Sequence, residues 1–371
     1  MKICLAMIVK NESRVIRRSL ASVLPIISSW AIVDTGSTDG TQEIIREFMK
    51  ELPGELIERE WVDFSTNRNQ AIELAKGKAD YILTIDADEE LIFEPIFSLP
   101  DLNQHDLWHV DIVHGILRYY RRALWRSSLP ARFVGVLHEV LIIDGAFTVG
   151  SLPDSYILYR SEGSRSSDPD KYRKDAQVFE KALVNEPGNT RYQFYCAQSY
   201  RDFGELERAL HWYSVRVKSG GGWAQERFIS QYQIALLKEQ LGRPWVEILE
   251  DYLRAFELNP MRAEPLFKIG IHYQGLQQWS LALHFYEAAM KIPEPTTALF
   301  VDHSIYAYLL PLNYAVALYW RGFYQKAIEV NNMLLAVPGL PAHLADLAKT
   351  NSGFAQSKLD THSVFDNSVY W

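Results

Sequence analysis

Cysteine is scarce in this chain, which holds only Cys4 and Cys196 among its 371 residues. Both lie in apolar segments far apart in the sequence, so we predict small core residues in a reducing compartment rather than a disulfide framework or a cysteine metal site. An excess of positive charge is also missing, because the formal net charge is −8. This balance argues against bulk attraction to nucleic acid or to an anionic membrane.

Apolar runs long enough to cross a membrane are scarce as well. Residues 304–320 are uncharged, but Pro311 and Asn313 interrupt them and a repeat-like pattern follows, so we predict buried helices there and no transmembrane segment. The apolar run at residues 3–9 has no small-residue cleavage site after it, which favours a strand over a signal peptide. We expect a cytoplasmic protein and leave open a peripheral position at the inner membrane face.

The chain does contain a strand-like apolar run, residues 81–85, that ends in the carboxylates of Asp86 and Asp88. Hard cations such as Mg²⁺ and Mn²⁺ bind carboxylate oxygens and leave positions that substrate phosphates fill. The pattern Asp-x-Asp alone is weak, because this composition produces roughly one copy by chance. A second copy, residues 168–170, has no strand before it, and we interpret it as a turn or a helix start.

The order of strands and helices supports the interpretation of the first Asp-x-Asp copy, Asp86 and Asp88, as a ligand-binding motif. Apolar runs at residues 3–9 and 30–33 each precede a helical pattern, and the alternation of strand and helix up to residue 85 predicts a mostly parallel sheet wrapped by helices. Asp34 and Asp86 then share the carboxyl edge of the sheet, where open α/β sheets bind ligands.

Helix starts give further expectations. We predict that Ser65 caps the third helix and that Ser37 or Asp39 caps the second. Arg68 lies in the first turn of the third helix, where a cation opposes the helix dipole, so we predict that it serves a ligand or an acidic partner.

Five motifs occur in one order along the first 140 residues. They are residues 7–12 (MIVKNE), 33–41 (VDTGSTDGT), 63–71 (DFSTNRNQA), 80–89 (DYILTIDADE) and 135–139 (GVLHE). Together they resemble the family-2 glycosyltransferases of GT-A fold, and more closely the bacterial members that carry tetratricopeptide repeats after the catalytic domain. The resemblance implies an α/β, Rossmann-like mixed sheet and an inverting, metal-dependent sugar transfer from a nucleotide diphosphate sugar, with a UDP-sugar as the expected donor.

The resemblance also implies roles for single residues. Asp86, Asp88 and His138 are expected to hold Mn²⁺ or Mg²⁺. The residues expected to contact the donor are Asn11, Glu12, Asp34, Arg68, Asn69, Asp86, Lys171 and Arg173. For Lys171 and Arg173, attraction to the neighbouring acidic helix start explains the sequence equally well. Relatives carry a histidine just before the Gly/Ser-rich junction where this chain has Tyr159, so coordination here would rest on Asp88, His138 and water.

Residues His138 and Glu139 are the predicted catalytic pair. A sugar hydroxyl is a poor nucleophile at neutral pH, so a positioned base is required. Glu139 suits that role better, because histidine is a common metal ligand. In isolation, His138 would be interpreted as a strand histidine bonded to the backbone, and the two residues could also divide the metal and base roles.

The second half of the chain has a different pattern. We place the domain boundary in the Ser/Gly/Pro-rich segment near residue 165, which gives a catalytic domain at 1–165 and a helical domain at 166–371. Small residues recur twelve apart at Ala197 and Ala209, Gly270 and Ala282, and Ala315 and Ala327. Such spacing predicts three or four degenerate tetratricopeptide-like repeats in an all-α solenoid. These repeats are expected to hold either the acceptor, which is a glycan, peptide or lipid-linked molecule, or a protein partner.

Two other function classes compete with a glycosyltransferase. One is an inactive repeat scaffold that only binds a partner, which the intact Asp34, Asp86, Asp88 and Glu139 argue against. The other is a nucleotidyltransferase on a similar sheet, which should show a glycine-rich phosphate loop after the first strand. Residues 7–12 contain no glycine.

Overall fold

The structure is a computed structural model that describes residues 1–114, 117–160, 162–295 and 298–366. The chain forms two compact units, Met1–Val184 and Asn185–Trp371. The division therefore falls after the boundary predicted near residue 165. The helix that follows the Ser/Gly/Pro-rich segment belongs to the first unit, because its Asp175 pairs with Arg165 and its Phe179 ring stacks with that of His138.

The first unit alternates strands and helices over its first half and is mainly strands after that. Its elements are β1 (Ile3–Val9), α1 (Ile16–Val23), β2 (Ser29–Asp34), α2 (Thr41–Phe48), β3 (Gly54–Glu58), α3 (Phe64–Ala75), β4 (Tyr81–Thr84), β5 (Glu89–Phe93), β6 (Leu107–His114), β7 (Leu117–Arg126), β8 (Ala131–Val134), β9 (Val140–Ile143), β10 (Val149–Tyr159) and α4 (Lys171–Asn185). Short 3-10 turns lie at Leu102–Gln104 and Ser164–Ser167.

In the described residues, eight strands form one mixed sheet in the order β3-β2-β1-β4-β7-β6-β10-β5. The first four run parallel to one another, β7 runs antiparallel to β4 and β6, and β10 is parallel to β6. Strands β8 and β9 form a separate antiparallel hairpin. Strand β1 is buried along nearly its whole length, as a strand covered on both faces must be. The mixed α/β sheet predicted for this half is confirmed.

The helix starts differ in detail from the prediction. Asp63, not Ser65, caps α3: its backbone is extended and its carboxylate accepts from the N–H of Thr66 at 2.7 Å. Ser65 instead donates its hydroxyl to the Asp63 carboxylate. At α2 the capping position is Gly40 in a left-handed conformation, and Asp39 accepts from the Thr41 N–H at 3.1 Å.

The second unit consists of helices, most of them paired with their neighbours in the chain as antiparallel hairpins. They are α5 (Thr190–Phe203), α6 (Leu206–Lys218), α7 (Ala224–Gln240), α8 (Trp245–Leu258), α9 (Glu264–Gly275), α10 (Trp279–Ala289), a π-helical turn (Ile305–Leu309), α11 (Leu310–Trp320), α12 (Tyr324–Leu335) and α13 (Ala342–Asp366). This succession of helices confirms the predicted all-α repeat unit. No helix in the described ranges is both long and apolar enough to cross a membrane.

The twelve-residue spacing of small residues marks close helix contacts, as predicted. A Cβ atom built on Gly270 of α9 would lie 2.4 Å from the Tyr286 ring of α10, so only glycine allows this approach. Ala197 and Ala209 are fully buried between α5 and α6. The spacing did not indicate the α7–α8 hairpin, because its linker at residues 241–244 is longer than the linkers of the three hairpins that the spacing did indicate. Both cysteines are free and buried, which confirms their assignment to the core.

Candidate functional site

A cavity of about 570 Å³ opens in the first unit beside the carboxyl ends of β1 and β4. Its wall is built from the loops after these strands, the start of α3, the turn before β9 and the segment leading into α4. Of the residues predicted to bind donor or metal, those in the wall are Asn11, Glu12, Arg68, Asp86, Asp88 and Lys171. As far as the described residues define the wall, it leaves out Asp34, Asn69, His138, Glu139 and Arg173.

Arg68 connects the predicted donor site to the predicted base. Its Nη2 donates to Asp86 Oδ1 at 2.6 Å and its Nε to Glu139 Oε1 at 2.5 Å. Although burial opposes the charged form, the two carboxylates raise the pKa of Arg68 above its ordinary value. Arg68 thus has acidic partners, as predicted, but because α3 begins at Phe64 it lies in the second turn of the helix rather than the first, so the helix dipole is not the reason for them.

Arg121 and Glu89 extend this arrangement, and sequence analysis did not assign them to the site. Arg121 donates Nη1 to Glu89 Oε1 at 3.0 Å and Nη2 to Glu89 Oε2 at 2.5 Å, and its Nη1 lies 3.6 Å from Asp86 Oδ2. Burial raises the pKa of Asp86, but Arg68 and Arg121 outweigh it and hold that pKa below its usual value. The sequence feature that could have identified this pair is the position of Glu89, directly after the Asp-x-Asp motif.

Asp88 and Glu12 are two further carboxylates of the cavity wall, near enough for the charge of Asp88 to act on Glu12. Asp88 Oδ2 accepts from the N–H of Gly163 at 3.2 Å, and both Glu12 oxygens lie 3.3 Å from the N–H of Ser164. Burial raises the pKa of Glu12 to about 7, and the negative charge of Asp88 adds to this effect. Burial and Asp86 also raise the pKa of Asp88. Two carboxylates that resist ionisation beside a cavity suit a hard cation, which would favour their charged forms.

The predicted three-ligand metal site is not preassembled. Within the described ranges, no group of three or more His, Cys, Asp and Glu side chains is arranged to hold an ion. His138 has a left-handed backbone with φ of 51°, and its ring stacks on Phe179 with centroids 6.1 Å apart. Asp88 lies in the cavity wall, whereas His138 does not.

Asp34 is fully buried at the end of β2 and holds the loop that follows. Its Oδ1 accepts from the N–H groups of Gly36 and Ser37, each at 2.8 Å, and from Gln42 at 3.1 Å. Its Oδ2 has no hydrogen-bond partner within the described part of the chain. A buried carboxylate oxygen without a donor is costly, so this atom is suited to a ligand N–H.

Two residues predicted to bind the donor have other partners. Both amide atoms of Asn69 pair with the backbone of Phe133, at 2.9 Å and 2.8 Å, so Asn69 joins α3 to the β8–β9 hairpin. Arg173 forms an exposed ion pair with Asp170 at 3.1 Å. For Arg173, attraction to the acidic helix start is the alternative that the contacts favour.

Part of the wall was not anticipated. Trp61 and Val62 contribute apolar surface, and Tyr159 lies in the wall at the position where the resemblance leads one to expect histidine. Arg165 also lines the cavity; its guanidinium carbon lies 4.8 Å from the centre of the Phe64 ring, and it pairs with Asp175 of α4. Apolar and aromatic surface with a few charged groups is typical of ligand sites.

The N-terminal third of the sequence matches a known protein family. The family described as "Glycosyl transferase family 2" matches residues 4–128. A TPR repeat-containing protein of Synechococcus elongatus is 29% identical over 259 residues, covering 65% of this chain and 62% of that protein. The prophage-derived glycosyltransferase SunS of Bacillus subtilis is 24% identical over 280 residues, covering 69% of this chain and 64% of SunS. The chain thus spans less than two thirds of either relative.

Solved structures give only distant matches. TarS 1–349 of S. aureus in complex with UDP-GlcNAc has a TM-score of 0.39 and 15% identity, covering 66% of this chain and 93% of that one. YrrB, described as a TPR protein with an unusual peptide-binding site, has a TM-score of 0.35 and 18% identity, covering 49% of this chain and 84% of that one.

Proposed function

Because residues 4–128 form a glycosyl transferase family 2 domain, we propose that this protein transfers a sugar from a nucleoside diphosphate sugar to an acceptor. The observation that carries the proposal is the position of Asp86 and Asp88. Both lie in the cavity wall at the carboxyl end of β4, and Arg68 connects Asp86 to Glu139. This link between the proposed donor-binding carboxylate and the proposed base supports a sugar transfer at this cavity.

The donor is proposed to be a UDP-sugar that lies along the carboxyl ends of β1, β2 and β4. The Oδ2 of Asp34, which has no hydrogen-bond partner among the described residues, supports a contact with an N–H of the base. Asn11 shapes the adjacent loop, since it accepts from the Thr38 N–H at 2.8 Å and donates its own N–H to Ser37 at 2.9 Å. Lys171, in the cavity wall, is placed to balance the charge of the departing diphosphate.

A divalent cation, Mn²⁺ or Mg²⁺, fits the carboxylates of the site. Asp88 would hold it, with Asp86 and Glu12 close by. When bound, such an ion neutralises charge on the diphosphate leaving group. Burial raises the pKa of both Glu12 and Asp88, and the charge of Lys171 only partly offsets this for Asp88; a bound cation would favour the charged form of both groups, which supports this assignment.

Glu139 is proposed as the general base of an inverting reaction. Its carboxylate takes the proton of the acceptor nucleophile as that atom attacks the anomeric carbon and the bond to the diphosphate breaks. Arg68 fixes one oxygen of Glu139, and the side chain is 10% exposed. A base held in one orientation loses less entropy in reaching the transition state.

The helical unit is proposed to hold the acceptor or a protein partner. Stacked helix pairs present an extended surface, which supports a binding role. Surface substitutions on this unit that spare the close-packed Ala197, Ala209, Gly270 and Ala282 should lower transfer to the natural acceptor and leave donor binding unchanged. If transfer keeps its wild-type efficiency, acceptor choice lies in the first unit.

A thermal-shift panel of nucleotide sugars with and without Mn²⁺ tests the proposed function. A ligand at 100 times its Kd adds about 2.7 kcal/mol to the stability of the folded protein, a shift that is easily measured. We expect one nucleoside diphosphate sugar to stabilise the protein, and more so with Mn²⁺. Stabilisation by none of them would favour the inactive scaffold, and release of pyrophosphate from a nucleoside triphosphate in the presence of a sugar phosphate would favour a nucleotidyltransferase.

A further inference from the structure

The Asp86 carboxylate is held from both sides by guanidinium groups. Arg68 Nη2 lies 2.6 Å from Oδ1, and Arg121 Nη1 lies 3.6 Å from Oδ2. The backbone N–H of Asp86 donates to Glu89 Oε2 at 2.9 Å. Both the side chain and the main chain of Asp86 are therefore held by neighbouring groups, of which Arg68 lines the cavity and Glu89 and Arg121 do not, as far as the described residues define its wall.

Glu89 and Arg121 form the outer part of this arrangement. Glu89 begins β5 and its side chain is only 3% exposed, while Arg121 comes from β7 and is about one-third exposed. The two planar groups meet through both oxygens and both terminal nitrogens, at 3.0 Å and 2.5 Å. A two-point contact of this kind fixes the plane of the guanidinium as well as its position. A buried carboxylate is costly unless it is paired in this way.

The neighbouring Glu90 shows that an ion pair on β5 need not involve the site. Its carboxylate pairs with Arg18 at 2.9 Å and with Arg160 at 2.6 Å. In the described part of the chain, these ion pairs of Glu90 do not include Asp86. Two adjacent glutamates on one strand therefore both pair with arginine, but Glu89 is 3% exposed and bonded to the Asp86 main chain, whereas Glu90 is 14% exposed and pairs with other groups.

We propose that Glu89 and Arg121 are positioning residues that set the orientation of Asp86 for donor binding, an inference that rests on the proposed function. Arg121 is fixed by Glu89, and Arg121 in turn limits rotation of the Asp86 carboxylate about its last bond. Glu89 also fixes the Asp86 main chain directly. Without the pair, Asp86 keeps Arg68 but can rotate, and the donor must then restrict that rotation when it binds.

The test is calorimetric titration of UDP in the presence of Mn²⁺ into the full chain and its variants. Glu89→Gln and Arg121→Met are expected to weaken UDP binding by about 10- to 100-fold, the usual effect of losing a group that orients a ligand-binding side chain. The matched control is Glu90→Gln, which removes the same charge from the next residue of β5. It is expected to keep UDP affinity within about twofold of wild type.

The titration also separates positioning from folding. Irreversibly misfolded protein lowers the number of binding sites per chain with an unchanged Kd, and reversible unfolding raises the apparent Kd, so each variant is first shown to be folded by thermal unfolding; a folded positioning variant then shows full stoichiometry and a raised Kd. Wild-type Kd in both Glu89→Gln and Arg121→Met overturns the positioning role and leaves the proposed function standing. Reduced stoichiometry with unchanged Kd overturns it too, as does an equal loss of affinity in Glu90→Gln. If the wild-type protein binds neither UDP nor any other nucleoside diphosphate, the proposed function and this inference fail together.

Discussion

Arg68 Nε lies 2.5 Å from Glu139 Oε1, so the proposed base shares its arginine with the Asp86 carboxylate at the end of β4. The two carboxylates are 53 positions apart in the sequence, yet a single side chain joins them. A change in the charge on Asp86 is therefore felt by Glu139 through one guanidinium group.

Glu139→Gln should lower the rate of sugar transfer by roughly 10²- to 10⁴-fold, the usual contribution of a positioned base. The amide oxygen can still accept from Arg68, so UDP binding should change little. Measurements of kcat and of UDP affinity check this pair of outcomes. Glu73→Gln is the control, because it removes a carboxylate from an exposed position of α3. Transfer at the wild-type rate in Glu139→Gln would show that the base lies elsewhere.

Asp88→Asn should abolish the stabilisation that Mn²⁺ adds to UDP binding, because a neutral amide is a poor ligand for a hard cation. Titration of UDP with and without Mn²⁺ measures the effect. Asp170→Asn is the matched control: it belongs to the second Asp-x-Asp copy and forms an exposed ion pair with Arg173. Equal Mn²⁺ dependence in the wild type and in Asp88→Asn would remove Asp88 from the cation site.

Glu12→Gln should stabilise the protein, and more at pH 8 than at pH 5. Glu12 has a pKa of about 7 in the folded protein, whereas an unfolded chain has about 4.3 for this group. The folded state therefore binds this proton more tightly, and its loss costs stability as the pH rises from about 4 to above 7. The glutamine variant does not have this cost. Thermal unfolding without metal, from pH 5 to 8, measures the difference.

Asp39→Asn gives the contrasting case. Burial opposes ionisation of Asp39, but hydrogen bonds from Thr41 and Ser13 lower its pKa to about 2. This carboxylate is ionised in both the folded and unfolded states between pH 5 and 8, so the loss of stability in Asp39→Asn should be the same across that range. If the stability gap between Glu12→Gln and wild type were equally constant, the raised pKa of Glu12 would be contradicted.

Gly270→Ala should destabilise the second unit by about 1–3 kcal/mol, the range for an extra methyl group in a packed core. The added Cβ would lie 2.4 Å from the Tyr286 ring. Gly275→Ala in the same helix is the control, because nothing lies within 4 Å of its added Cβ. It should be neutral or stabilising by up to about 1 kcal/mol. Equal effects in chemical denaturation would contradict the close approach of α9 and α10.

Local patterns in the sequence predicted much of the fold and some of the site. Asp34, Asp86 and Asp88 follow buried strands, so their common edge could be inferred from apolar runs and turn residues alone. Arg68 was selected as a cation in the first turn of the third helix, although the structure places it in the second turn. Small residues twelve apart indicated three of the helix hairpins of the second unit.

The missed contacts are those that depend on pairing between distant segments. Arg121 meets Glu89 across 32 positions, and Asn69 meets Phe133 across 64. Neither pairing can be inferred from sequence periodicity, because the register of β7 and the position of the β8–β9 hairpin are set by tertiary packing. Asn69 therefore looked like a ligand-binding residue, although it joins two elements of the fold.

The tight turn before β9 limits how this region can diversify. Gly135 has φ of 121°, and a Cβ there would lie 3.3 Å from the Glu139 Cα, while His138 has φ of 51°. A left-handed backbone accommodates glycine and asparagine at low cost but strains β-branched residues. In a saturation library at position 138, His138→Asn and His138→Gly should outnumber His138→Val and His138→Ile among correctly folded clones. Few substitutions at positions 135 and 138 would keep Glu139 in place. Adaptation to a new acceptor would therefore proceed through substitutions on neighbouring surfaces.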